Sequence, residues 1–454
     1  MTDTSIAEAT RRVAKAERIA ALDVLRGFAI LAILMMNVPY MGSYADFDLF
    51  DPRLVSWTAA DQTAFRIIGT LFDGTQRGML ELLFGAGIMI MTRAAMTPDA
   101  PVAVADLHLR RNLWLMAFGV FQALVLMWPG DILFPYGIAA IFVFGARTLP
   151  ARTKAILGVV FLLGVIGSGY ARHVDAVNLK AEAVAVQAKV TARKPVTQEQ
   201  QAKLDKWNDK VKAAAPLAQN KAKQEAVAKE KKARRGPVDG YWKFLAGIWT
   251  QFNFSMFALF GMLEIVGTML LGMALYDWGV LQGRRSAAFY AGLAVAGYGV
   301  GATLRTLAID EMMLFSPDPK TFGWTWDVAR MALTLGHVGL FNLILKSAAG
   351  SRVLSVFQAP GRMPLTIYLS ASILGMLIIF PGFGFGQFGR HGWAGLEAIA
   401  LSIIAGQLIF ANVWMAYFET GPIDWLWKSL AYKKRQPFLK VRGPMGVAAP
   451  AAAE

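Results

Sequence analysis

The sequence predicts an all-α fold: a polytopic integral membrane helix bundle of about ten spans, with both termini in the cytoplasm. Hydrophobic residues make up 56% of the 454 residues and charged residues only 17%, and the mean hydropathy is +0.43. These values lie outside the usual range of soluble domains. The apolar residues also cluster in blocks of roughly 17 to 25, the length that crosses a hydrocarbon core.

Ten apolar blocks follow one another along the chain, and each predicts a transmembrane helix. They span residues 22–42, 78–92, 113–128, 132–144, 155–170, 254–276, 287–304, 328–345, 364–381 and 396–418. The first block follows basic residues but lacks a small-residue cleavage site, which predicts a retained span. The chain is thus divided into a basic segment 1–21, a transmembrane half 22–171, an insertion 172–240, a second transmembrane half 241–432 and a tail 433–454.

Charged residues in the short loops orient the predicted bundle. Basic residues gather on the side of the N-terminus: Arg93, Arg110, Arg111, Arg147, Arg152, Lys154, Arg284, Arg285, Lys346, Arg352, Arg362, Lys433, Lys434 and Arg435. Acidic residues gather in the opposite loops: Asp46, Asp48, Asp51, Asp61, Asp73, Asp310, Glu311 and Asp318. Basic loops stay in the cytoplasm, so we expect a bacterial cytoplasmic (inner) membrane protein with both termini inside.

The insertion 172–240 is rich in Lys, Ala and Gln. Between residues 174 and 237 it carries fifteen Lys and Arg against seven Asp and Glu. The difference, 15 − 7 = +8, is over half of the chain's formal charge of +15. Long loops translocate despite such charge, which places the insertion in the periplasm. Pro195 and Pro216 are expected to divide it into three pieces. Its structure is expected to be either a set of charged helices or a partly disordered loop. Its role is expected to be either that of a solvated insertion or binding of anionic lipid or a partner.

Composition also excludes several classes of protein. The chain has no cysteine, which excludes disulfides, thiolate metal sites and a cysteine nucleophile. No metal site and no permanently bound cofactor are predicted. Outside the insertion, the basic residues lie mostly at span ends, and no basic groove with interleaved aromatic residues indicates nucleic-acid binding.

Ionisable residues inside spans point to function, because burying a charge there costs roughly 2.5 kcal/mol or more. Asp23 and Arg26 lie three residues apart at the cytoplasmic end of the first span, which predicts a local ion pair or a site. Glu81 and Glu264 lie within spans and have no cation nearby in sequence. Each is expected either to carry a proton or to pair with an arginine of another span.

The eighth apolar block places Arg330 and His337 seven residues apart, on one helix face. Of the four histidines, His337 alone lies deep in a span, where it would act as an acid or base or form an interhelical hydrogen bond. The segments "AGYGVGA" (residues 296–302) and "FGAG" (residues 84–87) lie in apolar helices. They predict close helix packing rather than a nucleotide loop.

Several segments, taken in order, resemble the YeiB family of bacterial membrane proteins, which is defined mainly by a C-terminal domain of unknown function, DUF418. They are "LDVLRGFAILAILMMNV", "RGMLELLFGAGIMI", "RRNLWLMAFGVFQALVLMWPGDILFPYG", "GRMPLTIYLSASI" and "GPIDWLWKSLAY". The resemblance covers nearly the whole chain except the insertion and the tails. The opening motif is similar to that of transmembrane acyltransferases, including the heparan-alpha-glucosaminide N-acetyltransferase group. The resemblance therefore implies acyl transfer from a cytoplasmic thioester to an acceptor at or across the membrane.

The resemblance is carried by particular positions: Asp23, Arg26, Gly27, Asn37, Arg77, Phe84, Gly85, Arg110, Arg111, Gly130, Asp131, Tyr136, Arg330, Gly336, His337, Gly361, Arg362, Thr366, Tyr368, Gly421, Pro422, Trp425, Trp427 and Tyr432. Three positions depart from it. Gln122 stands where relatives have His, Glu81 where they have Ser, and Ala371 where they have Gln. If the position of Gln122 carried an essential base in relatives, this chain would lack that base.

Acyl transfer requires a base, donors for the developing oxyanion, and cations for the phosphates of the donor. We assign His337 as the base, oriented by Asp131 or Glu264. Asn37 and Tyr368 are assigned as donors to the oxyanion or the acceptor. The arginines expected to bind the donor are Arg26, Arg110, Arg111, Arg330 and Arg362, although topology alone also favours arginine at this face.

The partners expected from this hypothesis are the lipid bilayer, an acyl-CoA as co-substrate, and a lipid or glycan acceptor; a homodimer is left open. A rival hypothesis is a transporter or flippase of a small anionic metabolite or lipid, proton-coupled through His337 or Glu264, with Arg330 and Asp131 along the same pathway. A third is a sensor or scaffold whose insertion binds a partner. Fold analogy alone does not choose among them.

Overall fold

The computed structural model of the chain describes residues 20–44, 51–93 and 101–440. The regular structure within these ranges is helical, apart from a single β-bridge between Phe418 and Leu439. This confirms the all-α prediction. Nearly all of the predicted basic segment 1–21, and most of the predicted tail, lie outside the described residues.

The α-helices are numbered here in chain order. They are α1 (Ala20–Ala32), α2 (Leu34–Gly42), α3 (Ala59–Leu71), α4 (Thr75–Arg93), α5 (Pro101–Leu124), α6 (Leu133–Val143), α7 (Ala151–Thr191), α8 (Gln198–Ala214), α9 (Lys221–Arg235), α10 (Val238–Phe254), α11 (Met256–Asp277), α12 (Ala287–Met313), α13 (Trp326–Ile344), α14 (Ala348–Leu354), α15 (Gln358–Arg362), α16 (Pro364–Ser372), α17 (Trp393–Tyr417) and α18 (Pro422–Ala431). A π-helix, Ile373–Ile379, extends α16.

Long apolar helices make this a membrane protein, because a helix satisfies its own backbone hydrogen bonds inside a bilayer. Within the described ranges, five units are long and apolar enough to cross: Ala20–Gly42, Ala151–Thr191, Ala258–Asp277, Ala287–Met313 and Trp393–Tyr417. A sixth, Ala348–Arg362 with Pro364–Ile379, is bent by 74°. Each of the ten predicted blocks lies on a helix, but the number of about ten spans stays a prediction.

Helix α3 is an element that the apolar blocks did not predict. It begins with a capping box, in which Thr58 and Asp61 bond each other's backbone N–H groups. Only one of its faces is buried: Phe65 packs on Trp393 of α17, with ring centroids 4.8 Å apart, while Arg66 pairs with Asp310 at the surface. A half-polar helix of this kind gives no continuous apolar run, so hydropathy alone misses it.

Two groups of helix ends are named here the basic face and the acidic face, after the loop charges that oriented the predicted bundle. The basic face carries Arg93, Lys154, Arg284 and Lys346 at the ends of α4, α7, α12 and α13. The acidic face carries Asp51, Asp310 and Asp318. On the basic face, Lys346 Nζ donates to the carbonyl of Gly283 at 2.7 Å, which brings the end of α13 to the start of α12.

The insertion is helical, and its proline residues fall between helices as predicted. Helix α7 runs out of its predicted span as far as Thr191, and the breaks before α8 and α9 contain Pro195 and Pro216. Helices α7 and α8 form a hairpin with a small apolar core of Ala183, Val186 and Leu204. The disordered alternative is thereby set aside for this segment.

Helix α9 folds back onto the acidic face. Lys223 Nζ donates to Asp51 at 2.6 Å, and the Arg235 guanidinium donates to the carbonyl of Phe388 at 2.5 and 3.0 Å. Arg234 donates to Glu230 at 3.3 Å and to the carbonyls of Tyr40 and Met41 at the end of α2. The insertion is therefore anchored to the bundle at its carboxyl end.

Close helix contacts occur at the predicted glycines, but not at all of them. A Cβ at Gly85 would lie 2.1 Å from the carbonyl oxygen of Met269, and one at Gly297 would lie 2.5 Å from Cα of Gly336. At Gly87 and Gly299 a Cβ would meet nothing within 4 Å. Close packing therefore alternates along each glycine segment with the helical period.

Candidate functional site

Four charged side chains from three helices form a buried network, called here the four-charge network: Arg77 and Glu81 of α4, Glu264 of α11 and Arg330 of α13. Arg77 Nη2 lies 2.8 Å from both carboxylate oxygens of Glu264, and Arg330 Nη2 lies 2.8 Å from Oε1 of Glu264. Glu81 lies 3.8 Å from Arg77 and 3.7 Å from Arg330. Two cations thus face two anions.

The balance of charge explains why these groups are tolerated inside the bundle. An isolated ion there would be costly, whereas a paired one recovers much of its lost hydration. Glu264 pairs with arginines of other helices, one of the two alternatives predicted for it. Glu81 lies 3.7 Å from Arg330 of another helix. It also lies 3.8 Å from Arg77, four residues earlier in its own helix, which corrects the prediction that it has no cation nearby in sequence. Arg330 is almost fully buried, with 2% of its side chain exposed, whereas 33% of the Arg77 side chain stays accessible.

Tyr136 of α6 connects the four-charge network to the cavities of the bundle. Its hydroxyl lies 3.2 Å from Glu81 Oε1 and 3.1 Å from the backbone carbonyl of Arg77, and donates to these acceptors. The ring packs edge-on against Phe84, with centroids 5.9 Å apart. The hydroxyl is thereby fixed beside a buried carboxylate, the arrangement needed for proton exchange between them.

The first cavity, of about 300 Å³, lies toward the basic face. Its cationic lining side chains are Arg26 of α1, Arg111 of α5 and Lys428 of α18. Most of the remaining lining is apolar and includes Leu80, Leu83, Phe84, Ile88, Leu115 and Leu133. A cationic mouth and an apolar interior suit a ligand with an anionic head and an apolar arm.

The second cavity, of about 530 Å³, lies toward the acidic face. Arg77 of the four-charge network lines it, as do Asn37, Gln76, Asp131 and, from the insertion, Arg234. Ile132 and Tyr136 line both cavities. These two residues therefore form a wall that the two cavities share.

The predicted donor-binding arginines separate into two groups. Arg26 and Arg111 line the first cavity; Arg26 pairs with Asp23 at 3.0 Å, and Arg111 stacks over the Trp427 ring at 4.5 Å. Arg110 pairs with Asp106 at 2.8 Å, and Arg362 lies 3.4 Å from the carbonyl of Glu419; neither lines the first or the second cavity. Arg330, as described above, belongs to the four-charge network instead.

His337 is not brought together with the residues predicted to orient it. Tyr298 Oη lies 2.6 Å from its Nδ1, and the carbonyl of Leu71 lies 3.1 Å from its Nε2. Asp131 accepts instead from the N–H groups of Leu133 and Phe134, at 2.8 and 2.9 Å, as the cap of α6. The predicted pairing of His337 with Asp131 or Glu264 is therefore corrected: both ring nitrogens and both carboxylates have other partners.

Asn37 and Tyr368, predicted together as donors, lie in different cavities. Asn37 lines the second cavity, and Tyr368 lines the first. The Tyr368 hydroxyl donates to the carbonyl of Gly130 and accepts from Ile132 N, both at 3.3 Å. It therefore holds the loop that precedes α6 against α16.

Sequence reasoning missed several residues of the first cavity. His108 of α5 lines it and stacks on Phe144, with centroids 4.4 Å apart, and its Nε2 lies 2.9 Å from the carbonyl of Ala140. Asp424 and Lys428 come from the amphipathic helix α18. The apolar and polar alternation of "PIDWLWKSLA" is the signal that would have placed α18 against the bundle.

Asp424, which lines the first cavity, stabilises the start of α16. It accepts hydrogen bonds from Leu365 N at 3.2 Å and from Thr366 N and Oγ1 at 2.9 and 2.7 Å, and so caps α16. Burial raises the pKa of Asp424, and Lys428 and the bonds from Thr366 oppose that rise. Gln122 donates to Ser372 Oγ at 2.7 Å.

The chain is similar in sequence to one family model and to several known proteins. Residues 275–434 match the family model "Protein of unknown function (DUF418)". The chain is 26% identical over 433 residues to the uncharacterized protein YxaH of Bacillus subtilis, covering 93% of this chain and 96% of YxaH. It is 22% identical over 430 residues to the uncharacterized protein YeiB of Escherichia coli, covering 93% and 98%. No solved structure matches.

Proposed function

The chain belongs to the YeiB family of membrane proteins, and from this premise we propose that it is a membrane-embedded acyltransferase. It moves an acyl group from a cytoplasmic acyl-CoA, in the first cavity, to an acceptor in the second. The observation that carries the proposal is the shared wall: Ile132 and Tyr136 line both cavities. A group passed through that wall would cross the membrane without its carrier.

The first cavity fits a thioester donor. Arg26, Arg111 and Lys428 supply cations for phosphate groups at the mouth. The apolar interior would hold the acyl chain and keep water from hydrolysing the thioester. Basic residues mark the cytoplasmic side, so the proposal includes a bacterial inner-membrane location with this cavity open to the cytoplasm, where acyl-CoA is made.

Tyr136 and Glu81 supply the proton chemistry of the proposed reaction. The acceptor oxygen or nitrogen attacks the thioester carbonyl carbon, and the carbon–sulfur bond breaks. The acceptor's proton passes through the Tyr136 hydroxyl to the Glu81 carboxylate, 3.2 Å away, and is returned to the leaving thiolate. Arg77 and Arg330 lie 3.8 and 3.7 Å from Glu81, and their charges favour the ionised form of its carboxylate.

Two neighbouring arginines provide a matched test of donor binding. Acetyl-CoA should raise the thermal unfolding temperature of the purified protein saturably, because a ligand of the folded state stabilises it by mass action. Arg111→Gln, in the cavity lining, should weaken that binding at least about tenfold, the usual effect of losing a hydrogen bond to a charged group. Arg110→Gln, outside the lining, should leave it unchanged. No shift in the wild type, or equal loss in both variants, would contradict the proposal.

Turnover is tested by release of free thiol from acetyl-CoA when lipid or glycan acceptors are added. The chain contains no cysteine, so a thiol reagent reports coenzyme A without background from the protein. Tyr136→Phe should bind acetyl-CoA normally but release thiol at a rate lower by about a hundredfold, the contribution typical of general acid–base catalysis. An unchanged rate would remove Tyr136 from the mechanism.

A second function, transport of a small anionic solute or lipid, is favoured by one observation. Arg77 lines the second cavity and stays 33% accessible, although it pairs with Glu264, as a solute-binding arginine would. Uptake into proteoliposomes that contain no acyl-CoA distinguishes the two functions. Saturable uptake abolished by Arg77→Gln, without any thiol release, would support transport and contradict acyl transfer.

A further inference from the structure

The first turn of α4 opens into the second cavity. Gly74, Gln76 and Arg77 all line that cavity, and α4 extends for 19 residues from Thr75 to Arg93. The first N–H groups of a helix have no acceptor within the helix, and the helix dipole adds partial positive charge at the same end. This end of α4 therefore favours an anion. The preference is stronger where nearby side-chain N–H groups also have no hydrogen-bond acceptor.

Two buried side chains in the cavity lining each have an N–H donor without a hydrogen-bond acceptor. Gln76 is 1% exposed, and its Nε2 has no hydrogen-bond partner, while its Oε1 accepts from Thr75. Arg234 is also 1% exposed, and its Nε has no partner, although its other nitrogens are held by Glu230 and by backbone carbonyls. An unpaired buried donor costs about as much as a lost hydrogen bond. A ligand that only accepts would remove that cost.

Arg77 adds a charge to these donors. Its Nη2 binds both oxygens of Glu264, and a third of the side chain stays accessible in a residue that lines the second cavity. Two carboxylates also line the cavity: Asp73 accepts from Arg305 at 3.2 Å through one oxygen, and both oxygens of Asp131 accept from backbone N–H groups at the start of α6. The two unpaired buried side-chain atoms, Gln76 Nε2 and Arg234 Nε, are both N–H groups.

We propose that the second cavity binds an oxyanion, a carboxylate or phosphate group, at the start of α4 between Gln76, Arg77 and Arg234. In the acyltransferase hypothesis this group belongs to the acceptor, and to that extent the inference rests on the proposed function. The site also gives the insertion a role, since Arg234 of α9 supplies one wall of it. The acceptor would then be a molecule with an acidic group, and an uncharged one would bind poorly.

Binding is measured with inorganic phosphate and with acetate, by calorimetric titration of the full chain in detergent. Chloride at equal ionic strength and uncharged glycerol serve as reference solutes. Saturable heat from phosphate, from acetate or from both is expected, and the ranking of the two identifies the acidic group. If neither anion binds, or if glycerol binds as well as they do, the proposal is overturned.

Variants locate the anion within the protein. Gln76→Glu replaces the unpaired donor with an acceptor of nearly the same shape and leaves the four-charge network intact, so it should fold. It should lower anion affinity at least about tenfold, as should Arg77→Gln. Arg111→Gln, in the first cavity, should leave affinity unchanged; loss in that variant alone would place the anion at the donor mouth and overturn the proposal. Because no acyl donor is present, this result is independent of whether acetyl-CoA binds.

Discussion

Asp51 anchors helix α9 of the insertion to the bundle, and acid should release it. Lys223 Nζ donates to its Oδ2 at 2.6 Å, and Arg53 Nε and Nη2 each donate to it at 2.8 Å. Burial alone would raise the pKa of Asp51, but hydrogen bonds from Arg53 and Lys223 outweigh burial and lower the pKa from its ordinary value of 3.8 to about 2. The ionised carboxylate is therefore the stabilising form.

The size of this effect follows from the two pKa values. A lowering from 3.8 to about 2 corresponds to about 2.4 kcal/mol at neutral pH. Because the folded-state pKa is the lower one, the stabilisation is complete above about pH 5 and is lost as the pH falls through 3.8 toward 2. Arg53 lies in the same loop as Asp51, so only the part of this stabilisation that comes from Lys223 is lost when α9 opens. Asp51→Asn should therefore open α9 more often at pH 6, by less than about 60-fold, and the difference should shrink near pH 2.

Hydrogen exchange of α9 peptides, measured by mass spectrometry in detergent, reports this opening directly. Lys180→Met is the matched control, since it breaks the insertion's contact with Asp318, where the side chains are 41% and 51% exposed. Such surface pairs contribute less than about 1 kcal/mol. Wild-type exchange in Asp51→Asn at pH 6, or a difference that does not shrink in acid, would refute the reasoning.

Three further predictions test the packing of the bundle by chemical or thermal unfolding in detergent. Arg330→Met leaves two buried glutamates beside one arginine and should cost about 3 to 5 kcal/mol; an unfolding midpoint equal to wild type would show that the four-charge network adds no stability. Glu397→Met should stabilise by about 1 kcal/mol, because both carboxylate oxygens of this buried residue lack hydrogen-bond partners; a lower midpoint would contradict this. Gly27→Ala should fail to fold, since its Cβ would lie 1.8 Å from the carbonyl oxygen of Phe357, whereas Gly87→Ala, with nothing within 4 Å, should be tolerated; equal yields of folded protein would exclude the close contact.

Local physics made the helices predictable, and its limits are visible at α3. A span must be apolar over a fixed length, so each of the ten apolar blocks falls on a helix. Helix α3 buries a single face, with Phe65 against Trp393 and Gly69 against Ile309. Its polar residues interrupt the apolar run, and only the tertiary arrangement shows where that face is covered.

The sequence predicted that buried charged residues form the candidate site, but not which of them pair with each other. The cost of a buried charge required a partner for Glu264, and the sequence offered several arginines. The choice of Arg77 and Arg330 depends on the contact of α4, α11 and α13, and Arg77 lies 187 residues from Glu264. For His337 the predicted partners were wrong. Its partners are Tyr298 and the carbonyl of Leu71, and no sequence pattern connects either of them to a histidine.

The wall between the two cavities bears on the choice between acyl transfer and transport. Tyr136 is held through its hydroxyl by Glu81 and the Arg77 carbonyl, and the N–H of its neighbour Ile132 donates to Tyr368. One turn of α6 also packs tightly on α5, since a Cβ at Gly137 would lie 2.9 Å from the carbonyl oxygen of Asn112. Transport requires this wall to move aside for a whole solute, which would break these contacts together. Acyl transfer requires only that a carbonyl carbon and a nucleophile meet across one side chain, so a fixed wall favours transfer.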